Sequence, residues 1–202
     1  MLIGAGWLIA GAPARVLEER QQAWGVRIQP GDLLFQDLDC GPRCALIREV
    51  TQSHYAHVGI VLEEQGTLRV WEAYHPVGAT DLVEWVRRGI AERVAIYRFR
   101  PSLLAQLPAI AAAIRSFADR PYDGDYQWDD ERIYCSELIA KAVNRAQGPA
   151  VFEPRPIGDL GPHAKAIARM SRGRLTPETR LVSPADLTRS PSLQRLVDEL
   201  AR

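Results

Sequence analysis

Three cysteines are too few, and odd in number, to staple a chain of 202 residues, so at least one thiol stays free unless two chains pair. Stability must come from burial instead, and a hydrophobic fraction of 47% is enough to build one core. Charge of neither sign prevails, since Lys plus Arg and Asp plus Glu each number 25. That excludes long-range attraction to nucleic acid or an anionic membrane as the organising feature, and binding must come from a local site. Also missing are an internal repeat, a low-complexity tract and a linker long enough to divide the chain. The expected organisation is an N-terminal segment, residues 1–30, followed by one domain, residues 31–202. Nothing calls for an obligate protein partner.

The opening residues MLIGAGWLIAGAPA carry no charge, and Ala12-Pro13-Ala14 resembles a small-x-small cleavage site. No Lys or Arg precedes the apolar run, and the run is shorter than the roughly 18 residues that span a bilayer. A periplasmic or secreted protein and a cytoplasmic one with an ordered N-terminal segment stand side by side. A membrane span is not expected, and membrane association is left open.

Ala14 to Trp24 reads as a short helix, and Pro30-Gly31-Asp32 turns the chain into the strand-like run Leu33-Leu34-Phe35. A helical turn or two follows Pro42. The segments Ala56 to Leu62 and Leu68 to Tyr74 alternate around Glu63-Glu64-Gln65-Gly66, which predicts a hairpin with a four-residue loop. Asp81 can cap a short helix through Val86, Arg93 to Phe99 predicts a third strand, and Pro101-Ser102 opens a helix to about Ala118. Asp119 to Arg132 is a polar loop, and an apolar-periodic helix, Leu138 through Ala146, follows Cys135. The proline-rich tail predicts irregular excursions around one helix near Ala164 to Met170, then a final helix from Leu193 to Leu200. Strands flanked by separate helices give an α+β class, with an antiparallel sheet or small barrel and helices packed on it.

Within Tyr134-Cys135-Ser136-Glu137-Leu138 the cysteine sits at a helix mouth, where unpaired N–H groups and the positive dipole end favour a thiolate. A thiolate hydrolase also needs an imidazole in reach and a polar group to hold the imidazole's other nitrogen. His57 interrupts the apolar strand Ala56-His57-Val58-Gly59-Ile60-Val61, and Glu72 lies in Val70-Trp71-Glu72-Ala73. If Leu62 pairs with Thr67, His57 falls opposite Glu72 on one face, roughly 5 Å apart between Cβ atoms. Each residue alone reads as ordinary: a core histidine, a solvated glutamate, a small buried cysteine. Their conjunction points to chemistry.

Gly31-Asp32-Leu33-Leu34-Phe35, Ser53-His54-Tyr55-Ala56-His57-Val58-Gly59, Pro121-Tyr122-Asp123 and Tyr134-Cys135-Ser136-Glu137-Leu138-Ile139 resemble the permuted papain-fold branch of the NlpC superfamily, specifically the YiiX-like proteins. Gln36-Asp37-Leu38-Asp39-Cys40-Gly41-Pro42 and Ser183-Pro184-Ala185-Asp186-Leu187 are similar to the same group, so the resemblance runs from about Gly31 to Leu187. The histidine strand precedes the cysteine, as in the permuted branch. The resemblance implies a permuted papain-like fold, a nucleophile at Cys135, a base at His57, a third polar residue at Glu72, and Tyr122 near the nucleophile, where it would help hold the reacting carbonyl. The backbone N–H of Cys135 would serve the oxyanion. It implies amide hydrolysis of small peptides or cell-wall peptide fragments. The alternatives are lipid thioesterase, phospholipase or acyltransferase chemistry at the same thiol, or a binding module that keeps only the cleft.

No metal or organic cofactor is expected. Cys40 and Cys44 lack a second ligand pair for zinc and are read as two reduced thiols near the cleft wall, with a local disulfide as the alternative in an exported protein. The run Asp123, Asp125, Asp129, Asp130, Glu131 lacks a calcium-loop pattern and is read as a solvated rim selective for cationic substrate groups. His54 and His75 are assigned to the surface, and His163 has no expected partner. An apolar funnel around Cys135 would favour lipid-like substrates, and charged residues converging on it would favour peptides.

Overall fold

Alternation along the central strands sends two sets of apolar side chains to opposite sides of one sheet, and the computed structural model describes this arrangement for residues 12–148, 151–160, 163–171 and 173–201. The signal-like run therefore lies, up to residue 11, outside the described residues. In chain order the elements are α1 (Ala12–Trp24), β1 (Asp32–Gln36), α2 (Pro42–Thr51), β2 (His57–Glu64), β3 (Thr67–Ala73), β4 (Val77–Asp81), α3 (Leu82–Arg88) and β5 (Ala95–Phe99). Then follow α4 (Pro101–Leu104), α5 (Leu107–Arg115), α6 (Cys135–Gln147), β6 (Arg155–Pro156), α7 (His163–Met170), β7 (Arg180–Leu181), α8 (Pro184–Thr188) and β8 (Leu193–Asp198).

Six strands pair antiparallel in the order β4-β3-β2-β1-β5-β8. The sheet is open, with β4 and β8 as edges, so the small-barrel alternative is set aside. Leu33, Phe35, Val58, Ile60 and Trp71 pack on one side against Ile110 and Ile114 of α5 and Leu138 and Ile139 of α6. Leu34, Val61, Val70 and Ile96 pack on the other against Leu17 of α1 and Trp85 and Val86 of α3. A third, smaller cluster joins Ile157, Ala164, Ile167 and Leu175 with Leu46 of α2, forming an outer lobe beyond the sheet. Among the described residues no helix is long and apolar enough to cross a membrane.

The β2–β3 hairpin closes on two residues rather than four, because Gln65 (φ 50°) and Gly66 (φ 77°) both take the left-handed turn that matches strand twist. Glu64 then pairs with Thr67 and Leu62 with Arg69, a slide of two residues from the expected register. Two residues is one full side-chain period, so His57 and Glu72 still share a face. One step beyond the Ile60–Trp71 pair, Gly59 lies beside Glu72. A Cβ there would come within 2.4 Å of Val70 Cγ1, so the backbone approach at the candidate site requires glycine.

Two other expectations are corrected, and one strand, β4, is added. The helix expected from Pro101 to Ala118 is two, α4 and α5, broken at Gln106 (φ −93°, ψ 4°). Pro108 explains the break: it has no N–H to give Leu104, and its ring would crowd that carbonyl in a continuous helix. Edge strand β4 is short and only partly buried, so it carries little pattern. The final helix is strand β8 instead, and its helical look has a structural origin. Leu193, Leu196, Val197 and Leu200 follow the i, i+3, i+4, i+7 spacing of a helix. In the sheet Val197 pairs with Ile96 and Arg195 with Tyr97, leaving Leu196 as a bulge that shifts the strand's alternation by one.

Candidate active site

Cys135 is the first residue of α6, which leaves its N–H without an intrahelical acceptor. The helix mouth is held from both sides. Tyr134 N–H donates to Glu137 Oε2 at 3.1 Å, Val182 N–H donates to the Tyr134 hydroxyl at 3.1 Å, and Ser136 Oγ donates to the Val182 carbonyl at 2.7 Å. Glu137 is fully buried, and desolvation pushes its pKa up to about 7 even though Lys141 sits 2.8 Å away.

His57 opens β2, where the Ala56 N–H bonds the Gln36 carbonyl and fixes the strand's entry. Its Nε2 lies 2.5 Å from Glu72 Oε2. The Cys135 sulfur acts on the same buried ring, whose Nε2 is taken by Glu72. Burial opposes a charge on His57, but the Cys135 sulfur and the Glu72 carboxylate outweigh it and raise the ring's pKa to about 9. Burial likewise opposes the Glu72 charge, and His57 and Arg88 outweigh it, bringing that carboxyl down to about 2. The arrangement therefore favours a protonated His57 ring held by the Glu72 carboxylate beside the Cys135 sulfur.

Glu72 is more tightly constrained than its strand position suggests. Its Oε2 also accepts from Trp85 Nε1 at 2.9 Å and Arg88 Nη2 at 2.5 Å, and its Oε1 accepts from Thr80 Oγ1 at 2.5 Å. Arg88 lies 4.1 Å over the Tyr74 ring, and Trp85 stacks on His57 at 6.2 Å. Asp81 starts α3 by accepting the N–H groups of Val83 and Glu84, and that helix presents Trp85 and Arg88, three residues apart, to Glu72. Thr80, Trp85 and Arg88 escaped the sequence reading. The sequence showed only the capped helix itself; nothing in it pointed Trp85 and Arg88 at Glu72.

Tyr122 forms a bridge with Ile133, two residues before the cysteine, and its ring lies 5.3 Å from His75. With Cys135 it lines a cleft of about 610 Å³, counted to its open mouth, between the sheet end and the outer lobe. The lining is overwhelmingly apolar, with Leu46, Ile167, Leu175 and Leu181 on its outer side. Trp71, Tyr74 and Trp128 do not reach it; each carries a basic side chain on its ring, Arg115, Arg88 and Lys141 respectively.

Other expectations change. Cys40 and Cys44 are joined as a disulfide at the start of α2, not reduced, because the turn through Gly41 and Pro42 brings their Cα atoms to 5.3 Å. The acidic run is not a free rim. Asp123 is fully buried and accepts from the N–H groups of Asp125 and Gln127, Asp125 pairs with Arg132 and Arg174, and Asp130 with Lys141 and Arg145. These carboxylates are committed to folding the loop ahead of α6. His54 is half exposed and lies 3.2 Å from Asp37, away from the His57–Glu72 pair. The His163 side chain is outside the described residues.

Residues 27–197 match the family described as permuted papain-like amidase enzymes, YaeF/YiiX, C92 family. This chain belongs to that family. Two relatives place it further within the YaeF/YiiX group. The uncharacterized protein YiiX of Escherichia coli K12 is 28% identical over 176 residues, which cover 85% of this chain and 87% of that protein. The crystal structure of YiiX from Escherichia coli O157:H7, described as a metalloprotein, superposes with a TM-score of 0.75 at 30% identity, over 85% of this chain and 97% of that one. The fold of a permuted papain-like amidase explains why a histidine strand met early in the sequence and a cysteine helix met late come together at one site.

Proposed function

We propose that this chain hydrolyses amides through a thioester on Cys135, with His57 as proton carrier and Glu72 as its orienting carboxylate. The observation that supports this most is the His57 ring held between the sulfur and a carboxylate that is itself fixed by three further donors. The Cys135 thiolate attacks the carbonyl carbon of R–CO–NH–R′, and the S–C bond forms as the oxygen becomes an oxyanion facing the Cys135 N–H and Tyr122. Collapse breaks the C–N bond while His57 gives its proton to the departing amine. Water then loses a proton to His57 and attacks the thioester, and the C–S bond breaks to release R–COOH and restore the thiolate–imidazolium pair.

The YiiX structure from Escherichia coli O157:H7 is described as a metalloprotein. Among the described residues of this chain no three His, Cys, Asp or Glu side chains gather closely enough to hold a metal ion, and no step here is assigned to one. Small peptides or cell-wall peptide fragments are the substrates the sequence suggests. The apolar lining of the cleft favours a second reading, acyl chemistry on lipid-like substrates. A periplasmic or secreted location is supported by the Cys40–Cys44 disulfide, a bond that persists in oxidising compartments. The test of the proposal is turnover of model amides by purified wild-type and Cys135→Ala protein. Activity that survives the substitution ends it.

A further inference from the structure

We infer that Gln36 is a positioning residue for His57: its buried amide, lodged one strand away from the imidazole, favours the charged form of the ring. The inference rests on the reading of His57 as proton carrier and deepens it. Gln36 ends β1 and pairs with His57 across the β1–β2 ladder, which puts their Cβ atoms about 4.5–5.5 Å apart on one face. That face is the α3 side of the sheet, where Leu34 and Trp85 share a cluster and Trp85 stacks on the His57 ring.

The cluster on that side, with Leu34, Val86, Val94 and Ile96, is apolar, and a leucine or methionine at position 36 would join it. Instead the chain buries an amide completely, and neither Oε1 nor Nε2 of Gln36 has a hydrogen-bond partner among the described residues. Such a group opposes folding, because its bonds to water are given up without replacement. Chains keep a stability cost of this kind where function uses the group.

The amide is also held in place. The turn after α3 closes over it, so that a Cβ on Gly89 would come within 2.8 Å of Gln36 Oε1 and 3.3 Å of Gln36 Cβ. Ile90 N–H donates to the Asp37 carbonyl at 2.9 Å, and Arg20 Nη2 donates to the Glu92 carbonyl at 2.9 Å. Ala91 (φ 54°) and Glu92 (φ 55°), in the same turn, both take left-handed backbone that non-glycine residues rarely adopt. A strained turn and an unpaired amide thus meet beside the strand that carries the imidazole.

What the amide does there follows from the groups around the ring. β3 brings the Glu72 carboxylate to His57, α3 brings Arg88 to that carboxylate, α6 brings the Cys135 sulfur, and the Tyr74 ring lies 5.9 Å away. Asp37, next to Gln36, is engaged by Arg48 and His54. β1 therefore offers His57 the neutral dipole of Gln36. Rotation about the last side-chain torsion, which no hydrogen bond opposes, turns the oxygen end toward an imidazolium. In a buried site that interaction is weakly screened.

The test compares the wild type with Gln36→Met, which keeps the length of the side chain and removes its dipole, and with Gln36→Glu, which restores an oxygen there. The His57 ring is titrated by NMR in ¹⁵N-histidine-labelled protein, Cys135 is alkylated with iodoacetamide at mildly acidic pH, and thermal unfolding is followed in parallel. Gln36→Met should lower the His57 midpoint by about one pH unit, a roughly tenfold loss of proton affinity. Alkylation should slow severalfold, while the unfolding temperature holds or rises. Gln36→Glu should bring the midpoint back to the wild-type value or above. A midpoint unmoved by Gln36→Met, or one as low in Gln36→Glu as in Gln36→Met, with Cys135 still alkylated, overturns the role of Gln36 and leaves the thiol chemistry standing. A wild-type ring that titrates at or below 6.5 beside a Cys135 inert to iodoacetamide overturns the reading of His57 as well.

Discussion

On one side of the Cys135 sulfur Glu72 accepts four hydrogen bonds and fixes the His57 ring; on the other, Leu46, Ile167, Leu175 and Leu181 make a wall whose neighbouring polar groups are bonded away from the cleft. The first side is built from a hairpin, an edge strand and the helix that follows, all within residues 57–88. The second joins α2 to α7, β7 and the turn before α8, which lie more than a hundred residues further along the chain. The comparison teaches a division of labour. The chemistry depends on charges that must be over-determined, because an unpaired ion in a buried site is costly. The cleft wall is built from shape and apolar area, which tolerate looser construction.

The comparison breaks most sharply at the sulfur. Cys135→Ala should lower amide turnover at least about a thousandfold with little change in thermal unfolding, since one buried atom is lost at a cleft. Glu72→Gln comes next. An amide keeps the shape but withdraws the charge that holds His57, and turnover should fall about a hundred- to ten-thousandfold in steady-state kinetics, chiefly in kcat. Arg88→Ala removes only one of the groups that hold Glu72 charged, and about tenfold is expected. On the apolar wall Leu175→Ala should leave kcat nearly unchanged and raise KM roughly threefold to tenfold for substrates that occupy the cleft. A kcat effect there as large as at Glu72 would erase the distinction between the two sides.

The smallest effect concerns pH. Glu137 has its pKa raised by burial to about 7 from an ordinary 4.5, so the stability tied to its neutral form is present below about 4.5 and is lost as pH rises through about 7. Thermal unfolding should therefore drift down over that window by a few degrees, and Glu137→Gln should flatten the drift. Glu72 has the opposite sign. Its stabilising charge is present above about 4.5 and is lost as pH falls toward about 2.

The same division marks what could be read from the sequence. His57 and Glu72 were legible because a hairpin is local, and the two-residue error in register was harmless because strands repeat every two residues. Cys135 was legible from the helix pattern behind it. The buttress of Thr80, Trp85 and Arg88 was not, because β4 is a short edge strand and an indole in a helix reads as ordinary core. The apolar wall was not legible either. Its residues come from a proline-rich tail without periodicity, and only the outer cluster around Ile167 and Leu175 gathers them. Strand β8 was hidden by one bulged leucine that lends a strand the spacing of a helix.

The whole reading turns on the charge of the His57 ring, an imidazolium held by the Glu72 carboxylate beside the Cys135 sulfur. Its most direct measurement is the titration of the His57 ring followed by NMR in ¹⁵N-histidine-labelled protein. A midpoint near 9 is expected in the wild type, falling toward the ordinary 6.5 in Glu72→Gln. A wild-type midpoint at or below 6.5, unmoved by that substitution, would contradict it.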